Sequence, residues 1–124
     1  MPKRETDLLG VYVYADREVV VDDCLDSAIY HCVIEKTASA LVDVTKLQII
    51  PVYDIIYLRN GKVEGSVDFR SCKIKGRYCL EKVAVRVFRE ATGDREAKRD
   101  VEELADSVVA LLDSIIRECV GGAK

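Results

Sequence analysis

The side chains with the most chemical capacity gather in one stretch, "RSCKIKGRYCLEK", Arg70 to Lys82. Seven basic residues lie between Arg70 and Arg89 against one acid, Glu81, in a chain whose formal net charge is −3. Cys72, Cys79 and Tyr78 stand among them. Cations interleaved with aromatics suit one chemistry in particular. They neutralise phosphates while bases stack on rings, as an open sheet holds single-stranded nucleic acid. Lysines at strand ends also keep sheet edges from pairing with other chains. Which role applies depends on the face each side chain occupies, and so on the elements that carry them.

The segment "LQIIPVYDIIYLRNGKVEGSVDF" sets Asn60-Gly61 between two β-rich runs, a strong short-range hairpin signature. Pro51 has no amide to donate, so the first run is expected at a sheet edge or to start near there. Lys75-Gly76 makes a second turn into "YCLEKVAVRVFRE", completing a three-stranded antiparallel meander. Upstream, "GVYVYA" and "EVVVD" flank Asp16-Arg17 and read as a hairpin. From Asp22 to Leu47 the chain has no glycine or proline, which predicts a helix capped by Asp22 or Asp23, with Asp26 in its first turn. Leu25, Ile29, Cys32, Val33, Leu41 and Val44 approximate one side of it; two strands near 28–34 and 40–44 are the rival reading.

The C-terminal run from Thr92 has the clearest helical period. Thr92 or Asp94 caps it and Gly121-Gly122 stops it. Val101, Leu104, Val108, Leu111 and Ile115 make a seam that Ala105, Val109, Leu112, Ile116 and Cys119 widen. A stripe that broad suits a helix laid on a sheet, whereas a two-position seam suits a zipper between copies. The fold class is therefore α+β: an antiparallel sheet in β-β-α-β-β-β-α order with a long C-terminal helix packed on it. One domain spans 8–120 after a polar tail, 1–7. This element order is similar to small dimeric roadblock and profilin-like modules. That resemblance implies a dimeric scaffold or a regulator of a GTPase-like partner.

Two-residue turns at Asn60-Gly61 and Lys75-Gly76 set Leu58 opposite Val63, Ile56 opposite Gly65, Val52 opposite Phe69, Cys72 opposite Cys79 and Lys82 opposite Phe69. Alternation then sorts the side chains by face. Arg70 falls opposite Glu81 as a cross-strand ion pair. Lys73, Lys75, Lys82 and Arg86 share a face with Phe69, Tyr78 and Phe88, and Asp54 is the one acid among them. Cys72 and Cys79, directly opposed, are candidates for a disulfide.

Other constellations carry less. His31 is the only histidine, so a multi-histidine metal site or a Ser-His-Asp triad is unavailable except through it, and a core or interface role is expected for it. No cysteines stand at C-x-x-C spacing, and no glycine-rich phosphate loop is present. "PVYD" with "VDFR" loosely resembles the restriction-nuclease pattern, but Arg70 stands where its lysine belongs. No catalytic residue, metal or cofactor is expected.

One Asn, one Gln and one Met beside 33% charged residues are a hyperthermophile pattern, a setting in which intracellular disulfides occur. No apolar run reaches membrane-spanning length, and "MPKRETDLLG" lacks the apolar core of a secretory leader, so a cytoplasmic protein is expected. The functional expectation is a non-catalytic, homodimeric protein binding single-stranded DNA or RNA. Phosphates would meet Lys73, Lys75, Lys82 and Arg86; bases would stack on Phe69, Tyr78 and Phe88. The alternative is a dimeric protein-interaction module.

Overall fold

The computed structural model describes residues 12–52, 54–90 and 95–122. The expected tail, the residues Thr92 and Asp94 expected to cap the last helix, and Tyr53 lie outside them. The order is β1 (Tyr12–Leu25), α1 (Ser27–Thr45), β2 (Gln48–Val52), β3 (Ile55–Asn60), β4 (Val63–Ile74), β5 (Arg77–Glu90) and α2 (Arg95–Gly122). The strands form one antiparallel sheet in the order β1-β5-β4-β3-β2. The α+β class and the long C-terminal helix stand as expected.

Two details of the order differ. The expected hairpin at Asp16-Arg17 is a continuous strand, with Asp16 opposite Arg86 and Arg17 opposite Val85 on β5. A charged pair need not turn when both neighbours find a long partner strand, and Arg17 reaches across to donate to Asp106 on α2 at 2.6 Å. From Tyr12 on, the two runs join into β1 without a break at Asp16-Arg17, and the one bulge falls inside the second run, between Val20 and Asp23. Further along, the run across Pro51 folds into two strands. Val52 pairs with Ile55 and not with Phe69, and β2 with Pro51 forms the sheet edge.

The segment after β1 is the helix and not two strands. Its N-cap is Asp26, whose carboxylate accepts from the Ile29 amide at 2.9 Å, so Asp22 and Asp23 remain in β1. Lys46 ends it in the left-handed region at φ 58°, donating to the Val42 carbonyl. Tyr30, Val33, Thr37 and Leu41 form its buried stripe, and Val44 points outward. His31, for which a core or interface role is expected, is exposed and so lies outside the core. Along α2, Val101, Ala105, Val108, Leu112, Ile115 and Cys119 are buried, and the helix packs on β1, β5 and α1. That broad stripe does the core-packing work its width predicted.

Both helices cover one face of the sheet. Ile56 and Leu58 on β3, Val67 and Phe69 on β4, and Val83, Val85 and Val87 on β5 all point to that side and are buried. Disulfides Cys24–Cys79 and Cys32–Cys119 close loops of 55 and 87 residues. By loop-closure entropy, each contributes on the order of 4 kcal/mol by restricting the unfolded chain. One joins β1 to β5; the other joins α1 to α2.

Gly65 lies where β4 runs against β5. A Cβ there would enter the van der Waals shell of the Arg86 carbonyl oxygen and come within 3.2 Å of the Val87 Cα. Both are backbone atoms and cannot rotate away. Gly65→Ala is therefore expected to destabilise the fold by about 1–3 kcal/mol, read as a lower denaturant midpoint.

Candidate functional site on the open sheet face

Two one-residue irregularities decide which side chains reach the face away from the helices. On β5, Glu81 is the extra residue of a bulge: Ser71 pairs with Leu80, but Arg70 pairs with Lys82. The expected Arg70–Glu81 pair therefore does not form. Beyond the bulge every β5 side chain is turned over relative to β4, which carries Lys82, Arg86 and Phe88 to the open face. The turn between Val52 and Ile55 does the same for β2, setting Ile50 beside Tyr57.

The expected basic and aromatic platform is thereby divided. Phe69 lies in the core beneath the helices, 3% exposed. Tyr78 also faces the helices, stacked on Tyr30 of α1 with ring centroids 4.1 Å apart, and the Lys73 ammonium lies 5.0 Å from its ring. Lys75 sits in the β4–β5 turn at φ 54°, the left-handed geometry of a two-residue hairpin with Gly76. Only Lys82, Arg86 and Phe88 of the seven remain together on the open face.

There, neighbouring acids engage the cations. Arg86 bonds to the Asp68 carboxylate through Nη1 and lies 3.7 Å from Asp16 through Nε, bridging β4, β5 and β1. Lys82 donates to Glu18 at 3.2 Å, and Arg59 lies 4.0 Å from Glu64. Each exposed pair adds little stability, but each sets a carboxylate beside a cation that a polyanion would have to reach.

Residues that sequence reasoning did not select complete the surface. Tyr14 stacks on Phe88 at 6.1 Å, and Tyr57 and Ile50 stand across from them. Together with Gln48, Arg59, Ser66 and Arg86 they line a shallow groove of about 460 Å³. Val20, Ile50, Val52 and Tyr57 are 75%, 48%, 48% and 47% exposed. A signal for part of this exists in the sequence: in β5 the apolar positions slip from Tyr78 and Leu80 to Val83, Val85 and Val87, marking the bulge.

The cysteines also depart from expectation. Cys72 and Cys79 do stand opposite each other, but the Cys79 sulfur is bonded to Cys24, and Cys72 is free and exposed. Cys79 has a strand on either side of it, and the pairing register of β1 supplies a second cysteine. Among the described residues no three His, Cys, Asp or Glu side chains gather as a metal site, and no helix is long and apolar enough to cross a membrane. No family model, curated protein or solved structure matches the chain.

Asp54, the acid expected among the cations, sits in the β2–β3 turn, where its backbone carbonyl accepts from the Phe69 amide at 2.8 Å. Burial raises its carboxyl pKa above the ordinary 3.8. The folded chain therefore holds this proton to higher pH than the unfolded chain does, and stability falls as pH rises through that interval. Asp54→Asn should be more stable than the parent at pH 7. The difference should vanish below about pH 3, where the carboxyl is neutral in both states, as read by denaturant midpoints at the two pH values.

Proposed function

We propose that this chain is a non-catalytic protein-interaction module that pairs, through its open sheet face, with a second copy of itself. The observation that carries the reading is the placement of both helices on one face, which leaves Val20, Ile50, Val52 and Tyr57 exposed on the other. A sheet with apolar residues on both faces needs a second layer. The charges favour an identical copy. Asp16, Glu18, Glu64 and Asp68 balance Arg59, Arg70, Lys82 and Arg86 on this face, so two copies meet without net repulsion. The face spans an area on the order of 800 Å², about what a stable interface buries per partner.

A specific observation favours a second reading, single-stranded nucleic acid binding. Tyr14, Tyr57 and Phe88 surround one groove with Arg59 and Arg86, a set that could stack bases and meet phosphates. Against it stand the carboxylates already engaging both arginines. The composition and the two disulfides support the cytoplasm of a hyperthermophile as the setting, where intracellular disulfides persist.

Sedimentation equilibrium should give a dimer, and Ile50→Glu with Tyr57→Glu should turn it into a folded monomer with unchanged circular dichroism. A parent that is monomeric throughout, or a double variant that remains dimeric, overturns the open-face dimer. Fluorescence anisotropy with a labelled oligonucleotide at low salt tests the second reading. Affinity falling linearly with salt on log–log axes would move the assignment to nucleic acid.

A further inference from the structure

Cys24, Cys79 and Cys72 occupy one row across three adjacent strands. Cys24 of β1 is in register with Cys79 of β5, and Cys79 is in register with Cys72 of β4. Directly opposed residues on neighbouring strands project to the same face with Cβ atoms roughly 5 Å apart. Cys79 thus has a cysteine on each side. It is bonded to Cys24, while the Cys72 thiol is free, exposed, and 4.0 Å from the Cys79 carbonyl oxygen. The remaining two cysteines are bonded to each other between the helices, so Cys72 is the one free thiol in the chain.

We propose that these three cysteines form a thiol–disulfide exchange site, in which Cys72 displaces Cys24 from Cys79. Exchange at sulfur requires a thiolate to approach along the line of the bond it breaks. The order of the row meets that requirement, because Cys72 lies on the side of Cys79 away from Cys24. The Cys72 thiol loses its proton to solvent, and its thiolate attacks the Cys79 sulfur. The Cys72–Cys79 bond forms as the Cys24–Cys79 bond breaks. The electron pair leaves on the Cys24 sulfur, which takes up a proton. One disulfide and one thiol stand on each side of the reaction, so no oxidant or reductant enters.

The exchange changes what is stapled. In one form the disulfide joins β1 to β5 across 55 residues; in the other it joins β4 to β5 within a single hairpin, across seven. The shorter loop constrains the unfolded chain far less. Cys24 lies three residues before α1 begins at Ser27, so its release frees the junction between β1 and α1 from its covalent tie. Arg77, whose guanidinium donates to the Cys24 carbonyl at 2.8 Å, still holds that backbone against β5. The junction therefore loosens without leaving the sheet.

The test uses the full native chain, trapped with iodoacetamide and mapped by mass spectrometry without reduction. The expected result is label on both Cys24 and Cys72, with cross-linked peptides for both Cys24–Cys79 and Cys72–Cys79. Cys32–Cys119 should stay intact and unlabelled throughout. Label confined to Cys72, with no Cys72–Cys79 peptide, overturns the proposal. So does label on Cys32 or Cys119, which would mark general scrambling. Cys24→Ser gives an independent reading: mild oxidation with glutathione disulfide should produce the Cys72–Cys79 bond, and its failure to form also overturns the site. Cys72→Ser, which leaves the parent disulfide in place, should abolish all labelling of Cys24.

Discussion

The pairing of β5 along both of its edges is the constraint on which the other features depend. It hydrogen-bonds to β1, which precedes it by more than fifty residues, and to β4, its hairpin partner. Its valines, with the apolar residues of β1, provide much of the surface that α2 covers. Take away the β1 contact and the meander keeps its local turns, but α2 loses much of the surface it lies on. The Cys24–Cys79 disulfide reinforces this non-local join, and the bond from Arg17 to Asp106 ties β1 to α2. The strand disulfide closes 55 residues of chain, and Cys32–Cys119 closes the longer loop of 87 between the helices, so both cross-links restrict the unfolded chain substantially.

The bulge at Glu81 gives that central strand two characters. Up to Leu80 its helix-facing residues are Tyr78 and Leu80; beyond it they are Val83, Val85 and Val87. One extra residue keeps both halves packed under the helices while turning Lys82, Arg86 and Phe88 outward. A bulge there also increases the local twist of the sheet. Once outward, these cations lie in register with, or diagonal to, Glu18, Asp16 and Asp68, and they pair. Lys82 and Arg86 are thus paired with acids from neighbouring strands.

How much was legible follows from the range of each interaction. The turns at Lys75-Gly76 and near Asn60-Gly61 were readable because glycine permits the backbone angles they need; Gly61 and Gly76 have φ of 62° and 79°. The first turn is shifted, with Asn60 opposite Val63, two residues from the expected register, so β3 and β4 kept their relative faces. The stripe of α2 and the edge position of Pro51 were equally local signals. The faces of β2 and the far half of β5 were misjudged because single-residue irregularities reverse alternation, and neither lies at a glycine. The cap of α1 was misplaced among three aspartates of similar capacity.

By itself, the sequence determined the α+β class, the long packed C-terminal helix, the two glycine turns of the meander and the opposition of Cys72 and Cys79, all set by periodicity and short-range backbone preference. Only the tertiary structure decided that β1 is one strand, that Phe69 and Tyr78 face the helices, that Arg86 lies between two carboxylates, and that Cys79 bonds to Cys24. Each of these depends on how β1 registers against β5 across more than fifty residues, or on a bulge that inverts alternation. Side-chain chemistry is written residue by residue, but the company it keeps across a sheet is set by the pairing of distant strands.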